Sequence, residues 1–166
     1  MTIIQQEDLI VSIADSLQYI SFYHPPDFVR AMADAYQREQ SNAARNAMAQ
    51  ILTNSRMASE GHRPICQDTG IVVVFVKIGM EIRFNANLTL QEMIDEGVRR
   101  AWNHKENPLR ASVVAPAFGE RQNTQDNTPA VVHTEFVRGD KIEFVIAAKG
   151  GGSENKAKLK ILNPSD

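Results

Sequence analysis

Cysteine is nearly absent from this chain, with Cys66 the only one among 166 residues. A single thiol cannot close an internal disulfide, so the fold must rest on a packed core, and a reducing cytoplasm is the default compartment. Charge of one sign is not in excess either, since 18 basic against 20 acidic side chains leave a net charge of -2. That balance supplies no basic field for a polyanion and argues against nucleic acid as a partner. Long apolar runs are missing as well. The longest, Ile71 to Val76, is far too short to cross a bilayer, so no membrane segment is expected. Met1 to Asp8 shows no basic stretch leading into an apolar one, and hence no visible secretion signal. Repeats, low-complexity tracts and linkers are also lacking. The length fits one domain over 1–166, with a helical part to about 61 and a sheet-containing part from about 62.

What is present is strongly patterned. Leu9, Ile13, Leu17 and Ile20 recur at helical spacing and form one apolar stripe. His24-Pro25-Pro26 stops that helix, and proline suits the first turn of the next, whose stripe is Phe28, Met32, Ala35 and Tyr36. Ser41 and Asn42 can cap a third helix carrying Ala44, Met48, Ile51 and Leu52, with Gly61 placed to end it. The period then changes. Ile71-Val72-Val73-Val74-Phe75-Val76 is β-branched and almost unbroken, as expected of a strand covered on both faces. Thr89 and Glu92 form a capping box, with Leu88 and Met93 as its apolar staple, opening a helix that runs to about His104. Segments Ala130–Val137 and Lys141–Ala148 flank Gly139-Asp140, a hairpin signal. The expected class is α+β: an amino-terminal helical bundle packed on a mixed or antiparallel sheet, with one further helix.

Two short stretches carry the chemistry. Arg63-Pro64-Ile65-Cys66-Gln67-Asp68-Thr69-Gly70 puts a thiol, an amide and a carboxylate in a loop that feeds a central strand. Arg63 would favour the thiolate if its guanidinium came close. Asp68 suits a proton carrier, and equally a turn carboxylate bonded to nearby backbone N–H groups. A cysteine nucleophile served by His24, His62, His104 or His133 is the rival chemistry, but no protease-like signature surrounds Cys66. In Lys149-Gly150-Gly151-Gly152-Ser153-Glu154-Asn155-Lys156, three glycines let main-chain N–H groups converge on an anion, with Ser153 and Lys156 as further donors. Arg110 can grip a carboxylate in bidentate fashion or stand merely exposed. Asn127-Thr128-Pro129-Ala130 reads as a loop entering a strand.

These stretches, together with Asn107-Pro108-Leu109-Arg110-Ala111-Ser112, occur in the same order as in a known family. The chain resembles the iron–sulfur (class I) fumarate hydratases and their relatives, the L(+)-tartrate dehydratases, over nearly its whole length. The resemblance implies a [4Fe-4S] cluster held by three cysteines, with one iron open to act as a Lewis acid. It implies a fumarate–malate hydro-lyase, an enzyme of the tricarboxylic acid cycle, with tartrate dehydration as the alternative. By position, Cys66 resembles the first cluster ligand. Gln67, Asp68, Arg110, Gly151 and Gly152 resemble substrate contacts for a small dicarboxylate, with Asp68 assisting proton transfer. The family's other two cluster cysteines lie beyond Asp166, so the chain is expected to be an amino-terminal part, inactive alone. Its partners would be the remainder of the enzyme or a beta subunit, in a homo-oligomer such as a dimer. A non-catalytic partner-binding domain is the alternative from another class.

Overall fold

The computed structural model describes residues 2–116, 118–151 and 160–164. The chain runs β1 (Thr2–Gln5), α1 (Gln6–Phe22), α2 (Pro26–Arg38), α3 (Asn42–Gly61), β2 (Ile71–Gly79), β3 (Ile82–Asn85), α4 (Leu90–Trp102), β4 (Val114–Ala115), β5 (Gln122–Asn123), β6 (Val131–Val137) and β7 (Ile142–Lys149). The class is α+β, as the patterns indicated. Helices α1 and α4 lie on one face of a three-stranded sheet ordered β6-β2-β7, and the core forms between these layers.

The apolar stripes account for that core. Leu9, Ile10, Ile13 and Leu17 of α1 meet Met93, Ile94, Val98, Ala101 and Trp102 of α4 over Val72, Val74, Val76 and Ile78 of β2. Each leucine, isoleucine, valine or methionine among them contributes about 1.5–3 kcal/mol of burial. The two helices approach closely at Gly97, where an added Cβ would sit 2.7 Å from Ile13 Cβ. Helix α4 starts on the expected box. Its Thr89 hydroxyl accepts from the Glu92 N–H at 3.3 Å, and Glu92 Oε2 accepts from the Thr89 N–H at 2.8 Å.

Helices α2 and α3 pack mainly on each other, and α2 has no buried residue among those described. Polar ties fasten the pair to the rest. His24 Nδ1 and Ser55 Oγ are 3.0 Å apart, and Asn54 Nδ2 donates to the Ile65 carbonyl at 2.9 Å. Helix α3 ends at Gly61, and the following His62 takes the left-handed conformation at φ 45°.

Two strand expectations need correction. Segments β6 and β7 do not pair with each other. Strand β2 lies between them, parallel to β6 and antiparallel to β7. The turn around Gly139 instead bonds the end of β2, where Gly79 N–H donates to Lys141 O at 2.9 Å and Glu81 N–H to Gly139 O at 3.0 Å. The most β-branched segment takes the centre, where both of its edges are paired. Nor is β2 covered on both faces: Val72, Val74 and Val76 are buried, but Ile71 is 42% and Phe75 49% exposed. The short parallel pair β1–β3 was not foreseen.

Candidate active site

The Cys66 loop lies between the end of α3 and the start of β2, and its backbone is pinned at both ends. Ile65 N–H donates to the Ser21 carbonyl at 2.9 Å. At the other end Gly70 has φ +78°, and a Cβ there would lie 2.6 Å from the Lys149 carbonyl carbon and oxygen. Glycine thus lets the loop lie flush against the last residue of β7. Between these anchors Cys66 is exposed. Its thiol donates to Gln67 Oε1 at 3.3 Å and accepts from the Asp68 N–H at 3.5 Å. Asp68 Oδ1 accepts from the Gly70 N–H at 3.2 Å, so the turn-stabilising role is real. Its Oδ2 reaches toward Gly150, passing 3.1 Å from where a side chain would begin.

Arg110 is brought opposite by the segment after α4. The Arg110 carbonyl accepts from the Thr69 hydroxyl and, at 3.2 Å, from the Trp102 indole Nε1, whose ring is buried. Gln67, Asp68, Gly70, Ile71, Arg110, Ser112 and Gly151 line one cleft of about 340 Å³. That size sits at the lower end of small-molecule pockets, and its lining brings together residues that carry an amide, a carboxylate and a guanidinium. A second cavity of about 230 Å³ shares Asp68 and is lined also by Ser21, His24, Cys66 and Thr69. Asp68 therefore stands between the thiol and the arginine cleft.

The structure thus brings Gln67, Asp68, Arg110 and Gly151 together and places Cys66 next door. Gly152, Ser153 and Lys156, expected to bind an anion, lie outside the described residues. Arg63 turns back over the end of α3, beside Gly61, and lines a different cleft with Asn54, Met57 and Pro64. No histidine among the described residues hydrogen-bonds Cys66. His24 meets Ser55, and burial pushes its imidazole below the ordinary value. His62 meets the Tyr23 hydroxyl at 3.0 Å, His104 accepts from the Glu106 and Asn107 N–H groups, and His133 stacks on Phe75. His24 shares a cavity with Cys66, but its Nδ1 is paired with Ser55 and no hydrogen bond joins it to the thiol, so no cysteine–histidine pair is formed.

Sequence reasoning missed Asn127. It is fully buried in the left-handed conformation at φ 64°, and its amide joins both site loops. The available signal was a short polar side chain, tolerant of that conformation, just before Thr-Pro.

The donor set bears on a cluster. Cys66 is accessible and beside the cleft, which suits one sulfur ligand. A cubane needs more, and no group of three His, Cys, Asp or Glu that could hold a metal exists among the described residues. The chain therefore fits as donor of one ligand and not as sole holder.

Comparison with known proteins shows the family. The profile described as fumarate hydratase (Fumerase) matches residues 10–166. The protein named "Putative L(+)-tartrate dehydratase subunit alpha" of Methanocaldococcus jannaschii is 37% identical over 158 residues, covering 93% of this chain and 54% of that one. The L(+)-tartrate dehydratase subunit alpha of Escherichia coli is 30% identical over 157 residues, covering 93% and 50%. The aerobic class I fumarate hydratase of Escherichia coli K12 is 34% identical over 144 residues, covering 84% and 25%. The chain spans about half the length of the alpha subunits it matches, and a quarter of that hydratase. With its site loops and nearly its full length inside the matched region, the chain belongs to the fumarate hydratase family.

Proposed function

We propose that this chain is the amino-terminal part of a hydro-lyase that interconverts fumarate and (S)-malate. The observation that carries the reading is the shared cleft of Gln67, Asp68, Arg110 and Gly151, with Cys66 exposed beside Asp68. The guanidinium of Arg110 holds one substrate carboxylate in bidentate fashion. Backbone N–H groups at Gly151 and Gly152 and the Gln67 amide orient the rest of the dicarboxylate. In dehydration a carboxylate oxygen of Asp68 takes the proton from the carbon next to the hydroxyl-bearing one, and in hydration it returns that proton. Cys66 provides one sulfur ligand to a [4Fe-4S] cluster, which when bound supplies the Lewis acid for the departing hydroxyl. The remaining ligands come from the rest of a longer protein or a beta subunit, within a cytoplasmic enzyme. Residues 1–166 act as one domain around the continuous core, and the open outer face of the sheet supports assembly into a homo-oligomer.

Tartrate dehydration is the second reading. It is favoured by the two alpha-subunit relatives, which match 93% of this chain each. Both readings are tested on the full-length native protein, reconstituted anaerobically with iron and sulfide. Iron–sulfur absorption and turnover of malate or L(+)-tartrate are expected, with side-by-side rates deciding the substrate. Cys66→Ser should lose the cluster absorption. A colourless, inert full-length protein would contradict both, and would favour a non-catalytic partner-binding domain.

A further inference from the structure

The loops that carry Asp68 and Arg110 are tied to each other by one buried amide. Asn127 is 0% exposed. Its Oδ1 accepts from the Ser112 N–H at 2.9 Å and the Val113 N–H at 3.2 Å, and its Nδ2 donates to the Gly70 carbonyl at 2.8 Å. One side chain thus joins the residue two beyond Asp68 to those two and three beyond Arg110. Asn127 does not line the cleft, so it cannot act by touching a ligand there. A second tie lies on the other side, where the Thr69 hydroxyl and the Trp102 indole both donate to the Arg110 carbonyl. The two loops are thereby fixed at residues adjoining the functional side chains.

We infer that Asn127 is a positioning residue, setting the spacing between the proton-carrying carboxylate of Asp68 and the carboxylate-gripping guanidinium of Arg110. The bonding pattern demands an amide, with one acceptor oxygen serving two N–H groups and one donor serving a carbonyl. Aspartate would keep the Ser112 and Val113 bonds but set a carboxylate oxygen against the Gly70 carbonyl. Glycine would keep the positive φ and remove every tie. A substrate held by one carboxylate must present its reacting carbon to Asp68, and a displacement of about 1 Å can cost on the order of 10²-fold in rate. The inference rests on the hydro-lyase reading, and deepens it by assigning the site's spacing to a residue outside the cleft.

The test uses full-length, anaerobically reconstituted enzyme with fumarate as the probe. Asn127→Gly should lower kcat/KM by about 10²-fold while the protein remains folded at the assay temperature. Hydrogen exchange at the Ser112 and Val113 amides should accelerate in parallel. The discriminating measurement repeats Asn127→Gly in an Arg110→Ala background. A loss clearly smaller there supports action through Arg110, because independent effects add to within about twofold. Equal losses in both backgrounds, or an unchanged kcat/KM in the Asn127→Gly enzyme, would overturn the inference. If the glycine variant does not fold, Asn127→Asp enters the same cycle. Failure of the hydro-lyase reading shows separately, as a wild-type enzyme that turns over neither fumarate nor L(+)-tartrate, and it removes this inference too; a wild-type enzyme active on tartrate alone carries the same cycle with L(+)-tartrate as the probe.

Discussion

Gly70 sits where two constraints on side chains coincide: a φ of +78° and the Lys149 backbone 2.6 Å from any added Cβ. Alanine there must strain its own backbone and push β7 away, so Gly70→Ala should destabilise the fold by more than about 2 kcal/mol. Thermal unfolding of the variant checks this. The same residue hands its carbonyl to Asn127 and its N–H to Asp68, so the damage would reach the site. At this scale the groups with chemistry of their own were legible in the sequence. A thiol, a carboxylate, a guanidinium and a glycine run announce themselves by type, and Cys66, Asp68, Arg110 and Gly151 lie around two adjoining cavities. Asn127 was read only as part of a loop entering a strand. Its contribution depends on complete burial and on partners 14, 15 and 57 residues away, which no local pattern encodes.

Helix α4 holds the site from below, through Trp102 at its last turn. Its start is fixed by the reciprocal bonds of Thr89 and Glu92, so Thr89→Ala should cost about 1 kcal/mol in denaturant unfolding. A loss near zero would mean that packing against α1 already determines where the helix begins. Elements with a helical stripe and a cap were readable, since both signals lie within one stretch of chain. The pairing of β6 and β7 was not. Gly139-Asp140 does mark a reversal, but strand neighbours are chosen by competition across the whole chain, and β2 displaces the local partner from both. Four-residue β1 and β3 carry too few alternating positions to stand out, and each finds its partner some 80 residues away.

Across the whole molecule, acid should weaken the fold over two successive pH ranges. Burial holds His24 neutral below its ordinary value of 6.5, so its contribution to stability begins to be lost as pH falls through that range. Further down, the carboxyls take over. Hydrogen bonds from the Thr89 backbone and side chain lower Glu92, and the Arg100 guanidinium lowers Glu96, both from an ordinary value of 4.5. Burial works against Asp126, but the Thr128 hydroxyl and N–H and the Arg99 guanidinium outweigh it and hold it below 3.8. Each of these carboxylates stabilises the fold fully above its ordinary value, and that contribution disappears as pH drops through the depressed one. Melting temperature recorded from pH 8 to 3 should therefore decline gently below about 6.5 and steeply below about 4.5. A flat profile to pH 4 would contradict these assignments.

The Asp68 loop leads directly into the central strand of the core, and Asn127 ties the Arg110 segment to it, so fold and site share Gly70 and Asn127 as common parts. The measurement that bears most directly on the central claim is the rate of fumarate hydration by full-length Asp68→Asn enzyme, reconstituted beside wild type without oxygen. With the iron–sulfur absorption intact, kcat should fall at least about 10²-fold, as expected when a positioned proton carrier is removed. A variant that keeps its cluster and hydrates fumarate at the wild-type rate would contradict the account.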